Sequence, residues 1–203
     1  LFEPQHAMFY TYPAKFGKSR IQNEYYALTS TCPHYGAPLA EGILNEKTIV
    51  CPWHHSCFNA LNGDLLEPPS LDALESYKVR IEEDNIKIIV PDKLNRSRIP
   101  AMAGFDPEKD GRTFIIAGAG AAGNAAAEAL REAGFTGRIV MITHENRLPY
   151  DRPNLSKAYL QGEAPEEWMP LRPDNFYQNK NIEIFLNKRI KEADIKKKKL
   201  IFA

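Results

Sequence analysis

The sequence has no net charge, few cysteines and no long apolar run, and each shortage removes a class of protein. Lys and Arg together number 26 against 26 Asp and Glu, so no basic field exists to concentrate a polyanion, which argues against general nucleic-acid binding. No stretch approaches the roughly 20 apolar residues of a membrane-spanning helix. Three cysteines in 203 residues are too few for a disulfide scaffold, and their odd number fits a reducing compartment or a metal site. A secretory pattern is missing from Leu1 onwards, so cytoplasmic residence is expected, or an organelle if a presequence has been removed. What is present is ordinary: 43% hydrophobic and 26% charged residues describe a globular chain, long enough for one large domain or two small ones.

Turn residues divide the chain unevenly. Short β-rich runs at Tyr25–Thr29, Thr48–Cys51, Tyr77–Glu82 and Ile86–Val90 alternate with turn clusters such as Asn62-Gly63-Asp64, which predicts a small antiparallel β domain over 1–90. Residues 91–111 carry charge, Pro100, Gly104 and Pro107 without periodicity, the composition of a linker. From 112 to 203 the pattern changes. A buried strand (Thr113–Ala117), a glycine turn, an Ala-rich helix (Ala121–Ala133) and a second strand (Ile139–Thr143) make a βαβ unit of a parallel sheet. A further helix (Asp174–Asn179), a strand (Ile182–Leu186) and a terminal hairpin (Ile190–Phe202) follow. The run Lys196–Lys199 is read as a solvated turn.

Two loops of the β domain each offer one Cys and one His. The first reads Cys32-Pro-His34, the second Cys51-Pro-Trp-His54, with 16 residues between the pairs. Such a set can build a Cys₂His₂ zinc site or a [2Fe–2S] cluster in which two His replace two Cys on one iron. The arrangement favours the cluster, because each loop gives a thiolate to one iron and an imidazole to the other. A third motif follows Phe114-Ile115-Ile116-Ala117, namely Gly118-Ala119-Gly120-Ala121-Ala122-Gly123. With a strand before it and a helix after it, it reads as a dinucleotide turn. Gly118 permits the bend, Gly120 lets backbone approach a pyrophosphate, Gly123 allows close packing, and the anion sits on the helix N-terminus beside Ala121 and Ala122. Glu145, just past the second strand, is placed to accept hydrogen bonds from an adenosine ribose.

On these residues the chain resembles known families. Cys32 to Leu39 (Cys-Pro-His-Tyr-Gly-Ala-Pro-Leu) followed by Cys-Pro-Trp-His at 51–54 looks like a Rieske-type ferredoxin domain, which implies Cys32, His34, Cys51 and His54 as cluster ligands. The stretch Leu148-Pro-Tyr-Asp-Arg152-Pro153-Asn-Leu-Ser-Lys157 resembles the flavin-contacting segment of FAD-dependent, NAD(P)H-oxidising ferredoxin reductases. The two halves together are similar to apoptosis-inducing-factor-like flavoproteins with an N-terminal Rieske domain. That resemblance implies a multidomain protein: an antiparallel all-β Rieske domain with an abbreviated start, then the first part of an α/β Rossmann-like FAD-binding domain, with the rest of the reductase not represented. It implies an oxidoreductase passing electrons between NAD(P)H, FAD and the cluster, with the NAD(P)H site outside this chain. The alternative is a non-catalytic Rieske electron carrier or a subunit of a larger redox assembly. An external electron-transfer protein is the expected partner.

By the same resemblance Arg152 and Pro153 lie against FAD, and Lys157 reaches the flavin ring as the catalytic cation. Trp168, Leu171 and Arg172 are assigned to packing. Departures from the pattern matter as well. Ala37 and Trp53 stand where high-potential Rieske proteins have a bracing disulfide. Ser56 keeps one hydroxyl donor to a cluster sulfur, whereas Phe58 replaces a Tyr and cannot donate. A potential near the low end of the range of about −150 to +300 mV is therefore expected. His55 stands where a glycine is usual and reads as a surface neighbour. Cys57 reads as a small buried side chain.

Overall fold

Strand-forming runs separated by Gly, Asn and Asp turns fold into two antiparallel sheets in the first half of the chain. A computed structural model describes residues 10–11, 16–21, 24–83 and 85–203. The abbreviated start expected for the β domain falls on residues 1–23, of which 1–9, 12–15, 22 and 23 lie outside the described residues. The strands are β1 (Tyr10–Thr11), β2 (Phe16–Ile21), β3 (Glu24–Thr29), β4 (Ile43–Asn45), β5 (Thr48–Val50), β6 (Cys57–Asn59), β7 (Leu65–Glu67), β8 (Ser76–Glu82) and β9 (Asn85–Ile89). One sheet has the order β1-β2-β3-β8-β9 and the other is the meander β4-β5-β6-β7.

Alternation sets the core of this unit. Ile49 of β5 faces Phe58 of β6 in register, and both are fully buried with Leu28, Leu39, Ala60 and Leu74. Cys32 and Cys51 belong to the same buried cluster. The core therefore reaches up between the two loops that carry the Cys-His motifs.

The segment read as a linker has partners at both ends. The chain divides into two units at Pro100 and Ala101. Ahead of the division, Ala73 and Arg98 exchange backbone hydrogen bonds at 2.8 and 2.9 Å, and the Arg98 guanidinium pairs with Asp64 at 2.6 Å. After it, the Ala103 N–H donates to the Arg131 carbonyl and the Asp106 N–H to the Thr136 carbonyl, both at 2.8 Å. Backbone groups near both ends of the segment are thus paired, although most of its residues are exposed.

The second unit contains β10 (Thr113–Ala117), α1 (Ala121–Glu132), β11 (Arg138–Ile142), α2 (Arg152–Leu155), α3 (Phe176–Asn179), β12 (Ile182–Phe185) and the antiparallel hairpin β13 (Ile190–Asp194) with β14 (Lys199–Phe202). The sheet β10-β11-β12 is parallel throughout. Central β11 has Ile139, Val140, Met141 and Ile142 buried. β10 is not the buried strand its apolar run predicts: Ile115 is 50% exposed and Phe114 is also exposed. Among the described residues it lies at the end of the strand order, with β11 its one neighbour. Phe114 leans on Phe135 with ring centroids 4.7 Å apart, while Ile116 packs into the helix-side core. The helix expected from Asp174 begins later, at Phe176, after a turn closed by the Phe176 N–H on the Pro173 carbonyl. Lys196–Lys199 are exposed around the hairpin turn, as read.

Arg131, near the C-terminal end of α1, is fully buried. Its guanidinium donates to the carbonyls of Phe135 (2.7 Å), Gly137 (2.8 Å), Lys180 (3.0 Å) and Asn181 (2.7 Å). One side chain thus satisfies carbonyls from the loop after α1 and from the turn before β12.

Candidate redox sites

The two Cys-His loops have the same backbone. In the first, the Cys32 N–H donates to the Ala37 carbonyl at 2.8 Å and the Gly36 N–H to the Cys32 carbonyl at 2.9 Å. In the second, the Cys51 N–H donates to the Ser56 carbonyl at 2.9 Å and the His55 N–H to the Cys51 carbonyl at 3.2 Å. Both loops need a left-handed residue four places after the cysteine, which is Gly36 at φ +79° in one and His55 at φ +62° in the other. His55 therefore fills a glycine position, and it is exposed.

This duplicated geometry brings like atoms together. Cys32 and Cys51 are both buried, and their thiols are within hydrogen-bonding reach of each other. Burial, together with the Cys51 thiol, pushes the Cys32 thiol up to about 11, against the opposing pull of the His34 backbone N–H and the Ser56 hydroxyl. A buried thiol of this kind gives up its proton most readily to a cation that replaces it. Further out, the His34 and His54 rings stand 4.9 Å apart and nearly perpendicular. Tyr35 and Trp53 flank them, with centroids 4.1 Å from His34 and 6.5 Å from His54 respectively. Both aromatics are half exposed, at 45% and 52%.

The donor set suits a [2Fe–2S] cluster. Among the described residues no three Cys, His, Asp or Glu side chains converge on a point that would hold one metal ion, whereas a binuclear cluster asks each iron for only two protein ligands. Two thiols lie at the core end and two imidazoles at the solvent end, which is that division. Ser56 is fully buried beneath the thiols and its Oγ accepts from the Ser70 N–H at 2.8 Å. Phe58 is also fully buried and offers no donor. Cys57, expected to be buried, is only half so; its thiol donates to the His55 carbonyl at 3.4 Å.

In the second unit the glycine turn leaves the C-terminal end of β10. Gly118 has φ +110°, and its N–H donates to the Ile142 carbonyl at 2.7 Å, which ties the turn to β11. A Cβ on Gly123 would sit 2.0 Å from the Gly118 carbonyl oxygen, so this crossing admits no side chain. Helix α1 starts at Ala121 with Gly120 as N-cap and no side-chain cap. The first-turn N–H groups of Ala121, Ala122 and Gly123 thus have no acceptor within the helix, the arrangement that receives a phosphate. A cleft of about 430 Å³ opens at Gly118, lined also by Thr143, His144, Lys188 and Arg189 among others.

Glu145 and Arg152 meet at this turn. They form an ion pair at 2.6 Å, and a Cβ placed on Gly120 would lie 3.5 Å from the Arg152 guanidinium. The Arg152 guanidinium also sits over the Tyr150 ring, 5.4 Å from its centre. Pro153 follows in the first turn of α2 and is exposed. Lys157 is brought no closer: its backbone N–H donates to the Asn154 carbonyl at 3.0 Å, and its side chain is exposed. Trp168 is exposed and does not pack as expected.

Arg172, assigned to packing, is a buried ion-pair partner. It is 5% exposed and donates through Nε to both Glu128 carboxylate oxygens at 3.0 and 3.2 Å, with a second short contact from its terminal nitrogen. Glu128, Asn124 and Tyr177 complete this network and were not singled out from the sequence. The only trace of it there is Asn124 and Glu128, two polar residues four apart on an otherwise Ala-rich helix.

Comparison with known proteins agrees with this geometry. The Rieske [2Fe-2S] domain family matches residues 9–78, and the pyridine nucleotide-disulphide oxidoreductase family matches residues 112–203. The two matches put a Rieske [2Fe-2S] domain ahead of the start of a pyridine nucleotide-disulphide oxidoreductase domain, an order that fits a [2Fe–2S] cluster and FAD as cofactors. The chain is similar to apoptosis-inducing factor 3 of Homo sapiens, 38% identical over 188 residues that cover 88% of this chain and 30% of that protein. It is also similar to rubredoxin-NAD(+) reductase of Pseudomonas putida, 46% identical over 85 residues, covering 42% of this chain and 22% of that one. Among solved structures, the putidaredoxin reductase–putidaredoxin complex matches with 31% identity and a TM-score of 0.44, over 45% of this chain and 22% of that chain. The chain thus spans less than a third of these relatives. Among the described residues no helix is long and apolar enough to cross a membrane.

Proposed function

We propose that the protein is an NAD(P)H-dependent electron-transfer oxidoreductase in which Cys32 and Cys51 hold one iron of the cluster and His34 and His54 the other. The observation that carries this is the pair of matching loops, with two buried thiols below and two adjacent imidazoles above. The first-turn amides of Ala121, Ala122 and Gly123, reached past Gly118 and Gly120, would receive the FAD pyrophosphate. Glu145 would accept from the adenosine ribose while Arg152 and Pro153 lie against the cofactor. Lys157, free to swing, would supply positive charge near the flavin ring. Bound FAD would supply the conversion between the two-electron hydride chemistry of NAD(P)H and the one-electron chemistry of the cluster. The protein's own share is to fix the irons beside a solvent-facing edge where His34, His54 and their aromatic neighbours meet an external electron-transfer protein.

Absorption and EPR of the purified protein test this. Flavin bands together with a Rieske-type signal on reduction are expected, and both should change on adding NADH or NADPH. A Rieske signal with no flavin would leave only an electron carrier. A reductive titration should give a midpoint toward the low end of the range of about −150 to +300 mV, since Phe58 offers no hydrogen bond; a clearly positive midpoint would contradict that reading.

A further inference from the structure

We infer that the buried Glu128–Arg172 ion pair is a positioning device that holds the glycine turn and Arg152 in register for FAD. The inference rests on the proposed binding of FAD at this turn.

The contacts form a closed circuit. The Gly120 carbonyl accepts from the Asn124 N–H at 2.9 Å. The Asn124 side-chain amide donates to Glu128 at 2.6 Å, and its oxygen accepts from the Tyr177 hydroxyl at 2.7 Å. Glu128 takes the forked donors of Arg172. The residues just before Arg172 then pair with the segment that carries Arg152. The Leu171 N–H donates to the Pro149 carbonyl at 3.0 Å and the Asp151 N–H to the Met169 carbonyl at 2.7 Å, while Tyr150 bridges to Pro170. Arg152 completes it beside Gly120, its guanidinium 3.5 Å from where a Cβ on that residue would stand.

A polar circuit at this depth is not the simplest way to stabilise a core. Glu128 is 4% exposed, and a buried ion pair commonly does no better for stability than apolar side chains of similar volume. What it adds is direction. A guanidinium fork fits a carboxylate in one plane, so α1 cannot slide or rotate against residues 169–172 without breaking two bonds at once. The Arg172 guanidinium is further held over the Phe176 ring, 4.5 Å from its centre. Burial pushes the Tyr177 hydroxyl up, reinforced by the Glu128 charge and opposed by Arg172, so it stays a donor to Asn124. The pair is thus a rigid link between the two pieces that would contact the cofactor.

The test is FAD affinity in the full-length protein, measured by flavin fluorescence well below the melting temperature. Two variants are compared with wild type: Arg172→Lys, which keeps the charge and loses the fork, and the double variant Glu128→Met with Arg172→Met, which removes both charges. Both should weaken FAD binding by on the order of tenfold or more, as misplacement of a binding group does, while retaining a cooperative melt and an unchanged Rieske EPR signal. Wild-type affinity in either folded variant would overturn the inference. A double variant that fails to fold leaves the Arg172→Lys measurement to decide it. A wild-type protein that takes up no FAD would instead overturn the reading on which the inference rests.

Discussion

His55 is the residue at which the two cluster loops differ in kind. At φ +62° it adopts the left-handed conformation that Gly36 takes freely in the twin loop, and a side chain there costs about 1 kcal/mol. His55→Gly should therefore raise the melting temperature of the cluster-free protein, seen by calorimetry. Because His54, not His55, faces the His34 ring, His54→Ala should abolish the Rieske EPR signal and His55→Ala should keep it; the reverse pattern would exchange the two assignments. The resemblance implied Cys32, His34, Cys51 and His54 as one group, and the structure brings the two thiols within reach of each other and the two rings to 4.9 Å. Their surroundings were not legible in the sequence. Ser56 meets the backbone of Ser70 from 14 residues away, and the half-burial of Cys57 depends on where β6 ends. Both are products of tertiary packing, which spacing does not encode.

At the level of elements, the glycine turn is the most constrained joint in the second unit. Gly123→Ala would place a methyl group 2.0 Å from the Gly118 oxygen, where only backbone can give way. Overpacking of this kind costs about 1–3 kcal/mol or more, so the variant should lose several degrees in the melting of this unit along with FAD binding, checked by calorimetry and fluorescence. Strand, turn and helix were readable here because the apolar run, the three glycines and the alanines agree. The exposure of β10 was not, since an apolar run looks the same whether a strand has one neighbour or two. Nor was the Glu128–Arg172 pair, whose members lie 44 residues apart. The segment read as a linker contains the division between the two units; its Pro and Gly mark irregular backbone, but they do not say whether that backbone is pinned, as it is by Ala73 with Arg98 and by Ala103 with Arg131.

In the whole molecule, two separate buried clusters serve the two units, and the four proposed cluster ligands belong to the first alone. Ligands bound only by the folded state stabilise that state. Removing iron with a chelator under reducing conditions should therefore lower the first unit's melting by more than the about 4–8 °C that 1 kcal/mol is worth in a domain of this size. The second transition should stay where it was; a single transition that shifts as a whole would mean that the units melt together. Arg131 sets a different kind of boundary, one in time. Its guanidinium must be met by the carbonyls of Lys180 and Asn181, and an unmatched buried charge is strongly destabilising. During synthesis, then, the far end of α1 stays hydrated until some fifty further residues have left the ribosome, and a nascent chain stalled before Asn181 would hold the glycine turn in a unit that cannot yet close.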